Sequence, residues 1–375
     1  MQMTNEELKQ QHIDRILKAV RYEPSDRTAL SVEGAVVLGR HADPSFLPGD
    51  IVVRPEWAMD RVIEGAIKID ADAIRPFEYP VGVVIGAGSR IKVPGKQLPM
   101  ESYWQIEEVN FMKPEHYDYI IEHGYAEFEK NFVNPNYDPD YWEELEKFFP
   151  MGDIFVEKLK STPVPEPLMH ICMVEFTTGA IAMGRGFSNF LIDLRRYPEK
   201  VMKATELMWQ HTRPFVLEQL RANPMTITTF LCRCDQDALS LAAFEKYIWP
   251  FYEMLDELVS SINKDIIHHI HIDGNYTKHT ELFKHLRPKH TVLMFDGMAD
   301  AEKMADTLTK HEICFMGGLN PAMLTLGTPD DVYNYCMKLK RLYGPGLILG
   351  AGCCFPPDTK IENLEAMRSA ANDSV

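Results

Sequence analysis

Eight short runs rich in β-branched and apolar residues recur along this chain, at 28–34, 72–77, 169–176, 225–232, 266–273, 291–296, 312–317 and 346–351. Most are followed by a stretch with apolar residues at three- and four-residue spacing, as in 195–221, 236–263, 299–310 and 329–343. Strands that alternate with helices pair in parallel, because each helix carries the chain back to the starting edge. Eight such units predict a closed (β/α)8 barrel of the TIM type. An open doubly wound sheet is the competing arrangement. No GxGxxG motif follows a strand to support it; Gly86-Ala87-Gly88 lacks both a third glycine and a following helix.

The exception to the alternation is residues 80–168, which hold Gly and Pro clusters, then Trp104, then acidic-aromatic helical patterns through Phe149. That is too long for a βα loop. The expectation is one barrel domain over 1–375, with 80–168 as an insertion or cap over the mouth. Its aromatic residues Trp104, Phe111, Tyr117, Tyr137, Tyr141 and Trp142 form either a pocket wall or the insertion's own core.

Net charge is −16, which disfavours nucleic acid and anionic membrane as partners. The first twenty residues read as an amphipathic helix without a signal-peptide h-region, and no run approaches the ~20 apolar residues of a membrane span. Seven cysteines form an odd set without framework spacing. Free thiols in a reducing cytoplasm follow. Self-association is left open.

In a β/α barrel the reacting groups sit where strands end. Here those ends carry Glu33, Glu175, Cys232, His271 with Asp273, Asp296, and Cys353. His271 and Asp273 are two apart and share a strand face. Imidazole, carboxylate and thiolate are all zinc donors, and three protein ligands leave a position for substrate. His271, Asp273 and Cys353 are therefore the candidate metal ligands, with Asp273 either a ligand or an orienter of His271. Cys353 and Cys354 point opposite ways when extended, so one of them faces the site. Cys232 with Cys234 is a second candidate thiolate pair, and His268 or His269 is expected to pack outward. Glu175 and Asp296 are the candidate catalytic carboxylates, Glu175 as acid–base group or fourth ligand, Asp296 as partner of the histidine. Each has a plainer structural reading as turn, cap or core residue.

Gly317-Gly318-Leu319-Asn320-Pro321, Leu326 through Val332, Gly352-Cys353 with Pro356-Pro357-Asp358-Thr359, and Glu362 through Met367 resemble the C-terminal signature of the uroporphyrinogen decarboxylase superfamily. Arg185-Gly186-Phe187, Asp193-Leu194 and the opening segment from Arg15 to Arg27 fit more loosely. The resemblance implies a β/α barrel and one of two activities: cofactor-free tetrapyrrole decarboxylation, or zinc-dependent methyl transfer to or from a corrinoid protein. The decarboxylases carry an arginine-rich segment that clamps substrate carboxylates; the early strand here reads Ala29-Leu30-Ser31-Val32-Glu33-Gly34. The methyltransferases carry His-x-Cys and a distal Gly-Cys as zinc ligands, which implies His271 and Cys353, with Asp273 standing in the place of the middle cysteine. Carboxylate in place of thiolate makes the site harder and suits an oxygen leaving group. The resemblance thus implies methyl transfer from a small O-methyl substrate, a methoxylated aromatic compound, to the cobalt of a partner corrinoid (cobalamin) protein. Corrinoid-to-thiol transfer is the alternative; tetrapyrrole decarboxylation and a non-catalytic scaffold for a corrinoid protein stand behind it.

Overall fold

A computed structural model describes residues 3–75, 77, 79–166 and 180–374. Seven strands form one sheet: β1 (Ala29–Val32), β2 (Ala73–Ile74), β5 (Thr226–Cys232), β6 (Ile267–Asp273), β7 (Thr291–Phe295), β8 (Cys314–Gly317) and β9 (Leu347–Leu349). Their order is β2-β1-β9-β8-β7-β6-β5, and every pairing is parallel. Two short antiparallel strands, β3 (Arg90–Lys92) and β4 (Gln105–Glu107), stand apart as a hairpin. This is the β/α architecture expected from the alternation. The strand expected at 169–176 falls outside the described residues.

The strands read as near-continuous apolar runs because both faces are covered. One face meets the outer helices through Leu30, Val32, Ile270, Ile272, Leu293, Phe295, Phe315 and Leu349. The other lines the interior, where Ala29, Ala73, Ile267, Val292, Met316 and Ile348 pack on Ile16, Ala19 and Val20. Those three side chains belong to helix Asn5–Val20, whose start is fixed by a Thr4–Glu7 capping box. The helix plugs the end of the sheet remote from the strand C-termini. Asp72, just before β2, is fully buried there and accepts bonds from Arg15 Nη1 (3.0 Å), Arg27 Nη1 and the Leu30 amide (2.8 Å), with His12 Nδ1 at 2.8 Å.

Residues between β2 and β5 add helices Glu115–His123, Tyr141–Leu159, Phe187–Arg196 and Pro198–Arg221, which share an apolar cluster separate from the sheet. Tyr117, Tyr137 and Tyr141 are buried in that cluster, whereas Trp142 is half-exposed. Tyr117 donates to Asp193 Oδ2 (3.1 Å), which also takes Arg185 Nε (2.6 Å). These aromatics are chiefly the segment's own core. Among the described residues no helix is long and apolar enough to cross a membrane.

Candidate metal centre

The β5–β6 register places Cys232 opposite Asp273 and Phe230 opposite His271. Alternation along β6 turns Ile267, His269, His271 and Asp273 to the interior. His268 turns outward, with Nδ1 3.2 Å from Asp256 on the outer helix Trp249–Ile262. At the strand ends the Cys232 thiol donates to Asp273 Oδ2 (3.2 Å), and His271 Nε2 lies 3.2 Å from Asp273 Oδ1. One ligand atom each from Cys232, His271 and Asp273 lie within 4.8 Å of one another. The Cys353 thiol, outside that tight cluster, is near enough to help lower the proton affinity of the same carboxylate. The Cys232 thiol and His271 thus converge on Asp273, in an arrangement that a cation would replace by displacing protons.

The expected ligands His271 and Asp273 are brought together as the strand reading anticipated. The tight cluster is completed by Cys232; Cys353 is reached through the Asp273 carboxylate. Its neighbour Cys354 accepts a hydrogen bond from Arg75 Nη1, and both the thiol and the guanidinium act electrostatically on His271. Asp296 accepts the amides of Gly274 (2.7 Å) and Met298 (2.9 Å), so it pins the turn that follows Asp273. The Nδ1 edge of His271 meets Met294 Sδ at 3.3 Å, and the Phe230 ring lies 5.3 Å from the imidazole. Glu175 lies outside the described residues. Two glycines make the geometry possible. Gly274 has φ +115°, and a Cβ on Gly352 would sit 2.2 Å from the Asp296 backbone, so only glycine lets the chain pass there toward Cys353.

Electrostatics tie the cluster together. Burial pushes the Asp273 carboxyl up, but the bond to His271, its charge, and the Cys232 and Cys353 thiols hold it below the ordinary carboxylate range. Burial works against protonated His271, yet Asp273 outweighs it and raises its proton affinity. His269, two residues earlier and fully enclosed, is pushed down to about 3 by burial and by the charge of His271, so it stays neutral. Burial, reinforced by the Asp273 charge, raises Asp296 against the pull of its two amide bonds. Sulfur, nitrogen and oxygen donors at one point are a set that zinc accepts in tetrahedral geometry. The residues present therefore fit a zinc ion.

The profile described as uroporphyrinogen decarboxylase (URO-D) matches residues 153–374, more than half of the chain. No curated protein matches in sequence. Among solved structures, a methyltransferase from Methanosarcina mazei superposes with a TM-score of 0.66 over 95% of this chain and 97% of its own, at 16% identity. At that identity the likeness speaks for the fold.

Proposed function

Because the chain belongs to the uroporphyrinogen decarboxylase family, and its strand ends gather the donors of a metal site, we propose that it is a zinc-dependent methyltransferase. In this reading it moves a methyl group from an O-methyl substrate, a methoxylated aromatic compound, to the cobalt of a corrinoid held by a partner protein. The observation that carries the reading is the Cys232–His271–Asp273 cluster at the C-terminal strand ends, where β/α barrels do their chemistry. Against the decarboxylase activity stands the end of β1, where Glu33 follows the strand and a substrate with many carboxylates would need arginines.

Cys232, His271 and Asp273 would hold the ion, with Cys353 as the candidate further sulfur donor. When bound, zinc supplies a Lewis acid that lowers the basicity of the departing oxygen. The corrinoid, held by the partner protein, would supply the nucleophile that accepts the methyl group, and the residues of this chain would receive the substrate oxygen with the electron pair of the broken carbon–oxygen bond. Phe230, beside His271, offers an apolar wall for an aromatic substrate. Asp296 and Glu175 are the carboxyl groups assigned to deliver a proton to that oxygen; burial, which raises Asp296, keeps its proton available nearer neutral pH. Residues 80–168 serve as a cap over the mouth. What supports this is the ion pair between Glu108, just past β4, and Arg233, next to Cys232.

One observation favours the alternative direction. A second sulfur beside the cluster makes the centre softer than a single thiolate would, which suits a thiol acceptor. The two readings separate in one experiment. The purified protein is mixed with a reduced corrinoid protein and methoxyarenes, and methyl–cobalt formation is followed by absorbance. Ether-dependent methylation supports the proposal; demethylation of methylcobalamin by thiols without ether turnover reverses it. Zinc below about a tenth of an equivalent after native purification favours the non-catalytic scaffold.

A further inference from the structure

His271 belongs to a row of side chains that crosses the interior of the sheet. Register pairs Phe230 of β5 with His271, His271 with Met294 of β7, and Met294 with Met316 of β8. The imidazole therefore has an aromatic ring on one side and a thioether on the other, and both His271 and Met294 are buried. Its two nitrogens meet different groups. Nε2 lies 3.2 Å from Asp273 Oδ1, while Nδ1 lies 3.3 Å from Met294 Sδ. A thioether sulfur accepts hydrogen bonds and has no hydrogen to give, so in this contact the imidazole donates and the proton is on Nδ1. An ion shared with Cys232 and Asp273 would take Nε2 and leave that proton where it is. Asp296, the carboxylate expected as the partner of the histidine, instead accepts the Gly274 and Met298 amides.

We propose that Met294 is a positioning residue: its sulfur accepts the Nδ1 proton of His271 and so aims Nε2 at the metal centre. The inference rests on the proposed metal site and goes beyond it, since Met294 meets the edge of the imidazole that faces away from Asp273. A metal-bound histidine ordinarily donates to a carboxylate, a carbonyl or water, which makes it a stronger ligand. A thioether is a weaker acceptor, so His271 gives up less electron density and the ion keeps more of its positive charge. That suits a substrate whose oxygen must depart with an electron pair.

The test is zinc affinity by competition with a chelator, read beside imidazole NMR of protein carrying isotope-labelled histidine. Zinc-loaded wild-type protein should show the His271 proton on Nδ1, protected from solvent exchange. Met294→Leu keeps an apolar side chain of similar volume without the acceptor, and should lower zinc affinity at least about tenfold. Met294→Gln supplies an oxygen acceptor on a chain of similar length, and should stay within about threefold of wild type. Met316→Leu removes the next methionine along the row and should leave the affinity unchanged. Packing alone predicts the opposite order, because a buried amide is costlier than leucine. A loss below about threefold in Met294→Leu, or a weaker Met294→Gln than Met294→Leu, overturns the positioning role while leaving the metal site standing. A zinc-loaded wild type whose His271 proton lies on Nε2 overturns it without any variant. Wild-type protein that binds no zinc overturns both.

Discussion

Replacing Asp273 by asparagine separates the metal site from the fold, because its carboxylate is the hub of the first and marginal to the second. The side chain accepts bonds from the Cys232 thiol and His271, and interacts with the Cys353 thiol, yet it is 39% exposed. Hydrogen bonds to a charged group are worth ~1.5–3 kcal/mol each, thiols are weak donors, and exposure screens the rest, so the total is about 1–3 kcal/mol. Unfolding entropy for a chain of 375 residues is about 0.8 kcal/mol/K, which makes the fall in Tm roughly 1–4 °C. Metal affinity should suffer far more. Zinc bound by four ligands gains ~10–16 kcal/mol, so one ligand contributes about 3–4, and affinity should drop about 10²–10³-fold. The pH profile carries a second signature in metal-free protein. His271 is raised above its ordinary 6.5, so its contribution is complete below that value and lost as pH climbs through the raised one. Asp273 is lowered from 3.8, so its contribution is present above that value and lost as pH falls through the lowered one. The pair therefore stabilises metal-free protein most between about pH 4 and 6.5, and Asp273→Asn should flatten that maximum. Thermal melts across pH and competition titration with a zinc chelator read both effects. Wild-type zinc affinity in the variant would refute the reasoning.

Three further outcomes follow from the same geometry. His271→Ala and Cys232→Ser should each strip most of the zinc while the protein stays folded, measured by metal analysis beside circular dichroism; full zinc in either variant would remove that residue from the ligand set. Zinc affinity should fall as pH drops through the raised His271 value, since a proton occupies the donor nitrogen there, and isothermal titration between pH 5 and 8 should record proton release on binding. Asp72→Asn breaks a buried network with Arg15 and Arg27 at the opposite end of the sheet, costing about 3–5 kcal/mol and about 4–6 °C. It should leave zinc content unchanged; a shift below about 1 °C would mean the network is not structural.

The strands were legible in the sequence because a parallel strand covered on both faces must be an unbroken apolar run, and β1, β2 and β5–β9 all fall inside the expected segments. The helix expected over 236–263 instead divides into Leu241–Tyr247 and Trp249–Ile262, with Ser240 capping the first and Pro250 in the first turn of the second. Periodicity runs through that join because both pieces bury the same side; proline's missing amide does not register in an apolar pattern. At the site, His271 and Asp273 were visible as a same-face pair on one strand, a local property. Cys232 was visible as a strand-end thiol, but its place opposite Asp273 depends on the β5–β6 register, which is set by contacts forty residues apart. Arg75 carried no signal, since nothing local ties the end of β2 to the segment after β9.

The central claim is one cation shared by strands β5 and β6. A crystal of the zinc-loaded protein measured on both sides of the zinc absorption edge tests it directly. The account predicts an anomalous peak about 2.3 Å from Cys232 Sγ and about 2.0–2.2 Å from His271 Nε2 and an Asp273 oxygen. A fully loaded crystal with its zinc elsewhere, and these three side chains still bonded only to one another, would contradict it.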